Sequence, residues 1–110
     1  MATFDEFLSL DLRVGTVLSA EPLQGARKPA YWMEIDFGPE IGTKRSSGQY
    51  TVNYRPEDMV GRQVIAVVNF PPRRIAGFMS EVLVLAAPDP SGAHILLDVE
   101  RPVPNGGRIS

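Results

Sequence analysis

The chain has 110 residues, of which 44% are hydrophobic and 22% are charged, and its net charge is −2. This composition is that of an ordinary globular domain, and it excludes intrinsic disorder, fibrous repeats and a strongly basic polyanion-binding protein. The absence of cysteine excludes disulfides, thiolate metal sites and cysteine nucleophiles. Neither a membrane span nor a signal peptide is indicated, so we expect a cytoplasmic protein with one domain at residues 1–110, beginning with a helical segment at residues 1–11.

The first predicted element is a short amphipathic helix. Thr3 and Glu6 have the spacing of a capping box, and Phe4, Phe7 and Leu8 then share one helical face. Because so short a helix is unstable alone, this face must pack against something. It either contacts a second copy of the chain or closes the barrel of its own domain.

Strand patterns dominate the rest of the chain. Residues 31–37 alternate between polar and apolar, whereas residues 63–70 are apolar on both faces, as in a buried strand. Gly15 is typical of a bulge within an early strand. The other predicted strands are rich in aliphatic or polar β-formers and lie at residues 12–18, 81–87 and 93–99, and residues 41–54 form a strand or a strand–loop. Five or six short strands with Gly- and Pro-containing turns predict an all-β sandwich or small barrel.

The sequence lacks a constellation that would support catalysis. His94 is the only histidine and begins an apolar strand, and no serine has the sequence context of a nucleophile. Glycine patterns of dinucleotide and P-loop sites are absent, and no acidic segment has EF-hand spacing. We therefore predict a non-enzymatic protein without a cofactor or a metal site.

Positive charge is concentrated in the middle of the chain. The net charge of residues 27–74 is +3, whereas both flanking regions are negative. The bases there include three doublets, which are Arg27–Lys28, Lys44–Arg45 and Arg73–Arg74. The guanidinium of arginine matches phosphate and stacks on bases. The doublets therefore either contact nucleic acid or only keep loops solvated.

The segment at residues 69–81 carries the most information about function. Its arginines could contact phosphates while Phe78 stacks on a base. Alternatively, Phe78 and Met79 are core residues of a tight connection.

This segment resembles the signature of the tRNA-binding domain found in free-standing bacterial tRNA-binding proteins and appended to methionyl-tRNA synthetases. The matching residues are Asn69, Pro72, Arg73, Arg74, Ser80 and Glu81. Further matching segments, in the same order and spacing, lie at residues 11–15, 34–38, 45–49, 54–57 and 104–106. The broad family has a glycine after this Ser-Glu pair, whereas this chain has Val82. In this respect the chain resembles the CsaA branch of the family.

The resemblance implies an all-β OB-fold, a five-stranded Greek-key barrel with a short N-terminal helix and an additional C-terminal strand or loop segment. It also implies a cytoplasmic homodimer that binds tRNA and acts as an export-related chaperone on unfolded preproteins. The alternative is a secretion chaperone that binds peptides or preproteins without physiological RNA binding. No membrane partner is expected.

Three groups of site residues follow from the chain and the resemblance. The predicted RNA-binding residues are basic or hydrogen-bonding, namely Lys28, Lys44, Arg45, Ser46, Ser47, Gln49, Asn69, Arg73, Arg74 and Ser80. The candidates for a peptide groove are large and apolar, namely Trp32, Phe70, Phe78 and Met79. The candidates for a dimer interface are Phe4, Phe7, Leu8, Phe70, Pro71 and Pro72.

Overall fold

A computed structural model describes residues 1–110. The helices are all short, namely α1 (Phe4–Leu8), α2 (Gly38–Ile41) and α3 (Pro56–Met59). The strands are β1 (Leu12–Pro22), β2 (Tyr31–Asp36), β3 (Thr43–Gly48), β4 (Gln63–Val67), β5 (Arg73–Ile75), β6 (Phe78–Ser80), β7 (Leu83–Val84), β8 (Ala86–Pro88) and β9 (His94–Leu96). None of the helices has the length and hydrophobicity that crossing a membrane requires.

The main sheet is antiparallel, and its five strands follow the order β3-β2-β1-β4-β7. Its two edges approach each other between β3 and the residues before β7. The backbone N–H of Glu81 donates to the carbonyl oxygen of Arg45 at 2.8 Å, and the Ser46 hydroxyl donates to the carbonyl oxygen of Val82 at 3.1 Å. The predicted five-stranded Greek-key barrel is therefore confirmed, and the pair β8–β9 forms the C-terminal addition.

The barrel interior is filled by alternate residues of the strands. Met33 and Ile35 of β2 are fully buried, as is Phe37 immediately after the strand. Gly15 lies beneath these side chains, because a Cβ there would come within 2.7 Å of Ile35 and Phe37. The bulge predicted at Gly15 is wrong, because Gly15 pairs with Val64 in regular register. The register of β1 shifts instead between Val17 and Ser19.

Three of the predicted aliphatic strands are shorter than expected. The strand predicted at residues 63–70 ends at Val67, after which the Val68 N–H bonds to the carbonyl oxygen of Asp11. The strand predicted at 81–87 is divided between β7 and β8, and the one at 93–99 has only three paired residues. Aliphatic runs indicate burial, but only partner strands decide where pairing ends.

The C-terminal residues complete the side of β1 that β2 leaves free. The Gly106 N–H donates to the carbonyl oxygen of Val14 at 2.7 Å, and the Val14 N–H donates to that of Gly107 at 2.9 Å. The side-chain oxygen Oδ1 of Asn105 accepts from the Thr16 hydroxyl at 2.7 Å. These bonds attach the segment at residues 104–107 to the barrel.

The N-terminal helix forms as predicted. The Thr3 hydroxyl accepts from the Glu6 N–H, and the Glu6 carboxylate accepts from the Thr3 N–H, which completes the capping box. No residue of α1 is buried, and Phe4 is 71% exposed. The apolar face of α1 therefore does not close the barrel of its own chain.

A tight hairpin, β5–β6, lies at residues 73–80, where no strands were predicted. Its two-residue loop contains Ala76 at φ 51° and Gly77 at φ 79°, which fits the type I′ turn. Alanine is strained in this left-handed region, whereas asparagine tolerates it. We expect Ala76→Asn to raise the free energy of unfolding by about 0.5–1 kcal/mol, measured by urea denaturation. An unchanged or lower value would contradict the assigned turn.

Candidate nucleic-acid interface

A cavity of about 720 Å³ opens at the end of the barrel where β3 finishes. Its wall comes from the β1–β2 connection, the end of β3, the β5–β6 hairpin and strands β7 to β9. The polar lining residues are Arg27, Lys28, Ser47, Gln49, Arg73 and His94, and the apolar ones include Ala30, Tyr50, Ile75, Leu83 and Ala86. No aspartate or glutamate lines the cavity, although the chain has 13 acidic residues and 11 basic ones.

The three basic doublets differ from all other bases of the chain in their ion pairing. Every arginine outside the doublets lies within 4 Å of a carboxylate, namely Arg13, Arg55, Arg62, Arg101 and Arg108. None of the six doublet residues has such a partner. Their charge is therefore not neutralised locally and is available to an anionic ligand.

Arg45 is held by aromatic rings and not by an acid. Its guanidinium carbon lies 4.4 Å from the ring centre of Phe78 and 5.3 Å from that of Trp32. Glu34 is its cross-strand neighbour, but no ion pair forms between them. Stacking on ring faces favours a cation and limits its motion. Arg45 therefore presents a positioned charge on the outer face of β3.

The cavity brings together four of the predicted RNA-binding residues, which are Lys28, Ser47, Gln49 and Arg73. The other basic candidates lie elsewhere. Lys44 pairs with the buried Ile35 and so begins on the inner face of β3, opposite to Arg45. Arg74 follows Arg73 on β5 and points to the opposite face of the hairpin, outside the cavity lining.

Three of the predicted RNA-binding residues form hydrogen bonds that stabilise the fold. Ser46 is fully buried and donates to Val82, which closes the barrel. Ser80 is only 8% exposed, and its hydroxyl accepts from the Ser47 N–H at 3.1 Å. Asn69 uses both ends of its amide, accepting from the Asp11 N–H and donating to the carbonyl oxygen of Ser9, each at 2.9 Å. These side chains are therefore engaged in hydrogen bonds within the protein, and their predicted contacts with RNA remain a prediction.

The four candidates for a peptide groove do not form one surface. Phe78 is 9% exposed and packs on the half-buried Trp32, with their ring centres 5.8 Å apart. Met79 is 38% exposed and points away from Phe78 along β6, and Phe70 is 41% exposed beyond the end of β4. The aromatic pair thus supports Arg45, while Met79 and Phe70 remain open to solvent.

Several lining residues were not predicted as site residues. Arg27 could have been included from its doublet, but Tyr50, Leu83 and His94 carry no signal in the sequence, because distant elements bring them together. Burial raises the pKa of Tyr50 to about 12, with a smaller contribution from Tyr54. The Tyr50 hydroxyl therefore stays protonated in the cavity wall.

Asp89 organises the loop that precedes His94. Hydrogen bonds from Ser91 and then Asn53 are the main causes that lower the pKa of Asp89 from 3.8 to about 2. Because the folded-state pKa is depressed, this stabilisation is complete above pH 3.8 and is lost as the pH falls towards 2. We expect Asp89→Asn to show a smaller loss of stability than the parent protein over this range, measured by urea unfolding at several pH values. Equal losses would contradict the role of Asp89.

The model of the tRNA-binding domain family matches residues 12–108. Among solved structures, chaperone CsaA from Bacillus anthracis is 55% identical, with a TM-score of 0.94 over 100% of this chain and 99% of that chain. The CsaA chaperone protein from Picrophilus torridus is 42% identical, with a TM-score of 0.92 and complete coverage of both chains.

Curated relatives include methionine–tRNA ligases. The ligase of Methanothrix thermoacetophila is 42% identical over 104 residues, which are 94% of this chain but 15% of the ligase. The chain therefore spans about 15% of the length of the ligases that it matches. The match to the family model extends over nearly the whole barrel and its C-terminal segment, and two solved structures that are similar over the whole chain are CsaA chaperones. The chain thus belongs to the tRNA-binding domain family and is of its CsaA type.

Proposed function

We propose that residues 1–110 act as one non-catalytic tRNA-binding domain in the cytoplasm, which works as a homodimer and also holds unfolded preproteins for export. The family supports RNA as the ligand, and the CsaA neighbours support the chaperone activity.

One observation carries the RNA proposal. All six residues of the basic doublets lack a carboxylate partner, while every other arginine of the chain has one. Three of the six, Arg27, Lys28 and Arg73, line a cavity that contains no acid. Cations without a neighbouring carboxylate keep their full attraction for an anion such as phosphate. Phosphate contacts position RNA without reading its sequence, so binding to many tRNAs is expected.

Fluorescence anisotropy of labelled tRNA across a salt series tests this proposal. Each phosphate contact adds about 0.7–0.9 to the slope of log affinity against log salt concentration. A steep loss of affinity with salt supports a phosphate-dominated site. Absence of tRNA binding at low salt would overturn the proposal.

The homodimer is supported by an uncovered apolar surface near the N-terminus. Phe4 is 71% exposed and Leu8 is 44% exposed, although a five-residue helix needs packing to be stable. The Asn69–Ser9 hydrogen bond places the exposed Phe70, and with it Pro71 and Pro72, beside the end of α1. The predicted dimer residues therefore share one side of the molecule, where a second copy could cover them.

Light scattering should give a mass of about twice the 12.1 kDa of one chain. We expect Phe4→Asp with Leu8→Asp to yield a monomer, because buried charge disfavours an apolar interface. Leu18→Asp is the matched control, since Leu18 is 50% exposed on β1. A dimer that survives the double substitution would remove α1 from the interface.

A second candidate function is preprotein binding without physiological RNA binding. The solvent-exposed Met79 and Phe70 favour it, because flexible and aromatic side chains adapt to varied clients. An unfolded preprotein that binds independently of salt, in a protein that fails to bind tRNA, would establish this alternative.

A further inference from the structure

The cavity at the end of β3 is lined by both basic and apolar residues, as the binding of a nucleotide requires. Arg27 and Lys28 reach it from the β1–β2 connection, and Arg73 reaches it from the β5–β6 hairpin. The same cavity has an apolar part of its wall that includes Leu83 and Ala86. The positive charge suits a phosphate, and the apolar part of the wall suits the faces of a base.

Ser47 adds a polar group whose hydrogen-bonding capacity the protein does not use. Its hydroxyl oxygen is shielded from solvent and has no hydrogen-bond partner, although its backbone N–H bonds to Ser80. Buried hydroxyl groups nearly always have a partner, so the Ser47 hydroxyl in the cavity wall is free to bond to a ligand atom. Ser47 and Gln49 both line the cavity, so a hydroxyl and an amide are available there to the edge of a base.

The shape of the site limits which form of RNA can enter. A volume of about 720 Å³ is in the range of cavities that hold small-molecule ligands. A base in a duplex is stacked and paired, and its edges are not free to enter a recess. A terminal or looped-out nucleotide has a free base and a flexible phosphate.

We infer that this cavity binds one unpaired nucleotide of an RNA, with its phosphate between Arg27, Lys28 and Arg73 and its base against the wall at Leu83, near Ser47 and Gln49. The inference rests on the proposed RNA-binding function and names the part of the RNA that is recognised. It makes the protein a reader of single-stranded ends or loops, in addition to the sequence-independent phosphate contacts outside the cavity. An extended peptide is disfavoured as the occupant because its backbone does not supply the concentrated negative charge that three unpaired cations match.

The first experiment uses the unmodified protein labelled with ¹⁵N. Adenosine, guanosine, cytidine and uridine 5′-monophosphates are titrated separately, and inorganic phosphate and an unfolded peptide are titrated in parallel. Backbone amide shifts that saturate and that cluster at residues 25–30, 47–50 and 83–86 are the expected result with the nucleotides. Phosphate alone should give smaller shifts confined to the arginines and lysine.

The second experiment compares Leu83→Glu with Leu18→Glu. Both leucines are about half exposed on strands, but only Leu83 lines the cavity. A carboxylate inside the cavity repels the phosphate, so we expect Leu83→Glu to weaken nucleotide binding by about 10-fold or more and Leu18→Glu to leave it within about 2-fold. The preference for a short single-stranded RNA over a blunt duplex of the same sequence should be lost only in Leu83→Glu. Circular dichroism verifies that both variants are folded.

The outcomes separate this inference from the proposed function. If tRNA binds and no mononucleotide shifts the cavity residues, the inference is wrong and the proposed function stands. Equal shifts with phosphate and nucleotides would reduce the site to an anion site and overturn base recognition. Shifts with the peptide alone would assign the cavity to preproteins. If tRNA does not bind at all, the proposed function itself fails.

Discussion

Reversing both charges of the Arg73–Arg74 pair is expected to weaken tRNA binding about 100-fold at low salt, because hydrogen bonds to charged groups contribute about 1.5–3 kcal/mol each. Neither arginine has a carboxylate partner, so Arg73→Glu with Arg74→Glu breaks no ion pair of the folded protein. The two residues lie on opposite faces of β5, so we expect them to contact separate phosphates. The slope of log affinity against log salt concentration should fall by about 1.4–1.8.

The matched control reverses two arginines that are already neutralised. Arg55 and Arg101 have side chains 74% and 82% exposed, and each pairs with an acid. Exposed pairs of this kind contribute little to stability, so Arg55→Glu with Arg101→Glu should fold normally. The net charge changes equally in both double variants. Equal loss of tRNA affinity in the two would mean that overall charge, and not the doublets, governs binding.

Replacing Gly106 by alanine is expected to cost about 3–4 kcal/mol of unfolding free energy, from backbone strain together with steric overlap. Gly106 has a φ of 89°, and a Cβ there would come within 2.6 Å of the Phe37 carbonyl oxygen. This oxygen belongs to the backbone, which cannot move away as a flexible side chain would. The segment at residues 104–107 would have to separate from β1. Urea denaturation monitored by the fluorescence of Trp32 measures the loss.

Gly92→Ala distinguishes the contribution of backbone strain from that of steric overlap. Gly92 has a similar φ of 88°, but nothing lies within 4 Å of the position that its Cβ would take. This variant carries only the conformational strain, which amounts to about 1–2 kcal/mol. If Gly92→Ala proves as destabilising as Gly106→Ala, the close contact with Phe37 contributes nothing. RNA binding should be normal in both variants at temperatures where they remain folded.

The local elements that the sequence predicted correctly depend on neighbours in the chain. The capping box of Thr3 and Glu6 forms as expected, and the alternation over residues 31–37 corresponds to the buried face of β2. The hairpin β5–β6 was not predicted, because three-residue strands are too short for a periodic pattern. The family resemblance, with its barrel, is confirmed by the topology and by the CsaA neighbours.

Only part of the candidate site can be predicted from the sequence. The basic doublets, the barrel and the family can be read from the order of residues, because composition, periodicity and motif spacing are properties of the chain itself. The order of residues does not show which side chains face a ligand and which stabilise the fold. Ser46 and Ser47 are adjacent and equally suited to hydrogen bonding, yet one closes the barrel and the other lines the cavity. Pairing of β3 with β2, and the approach of Val82 from a distant part of the chain, decide which side each serine takes.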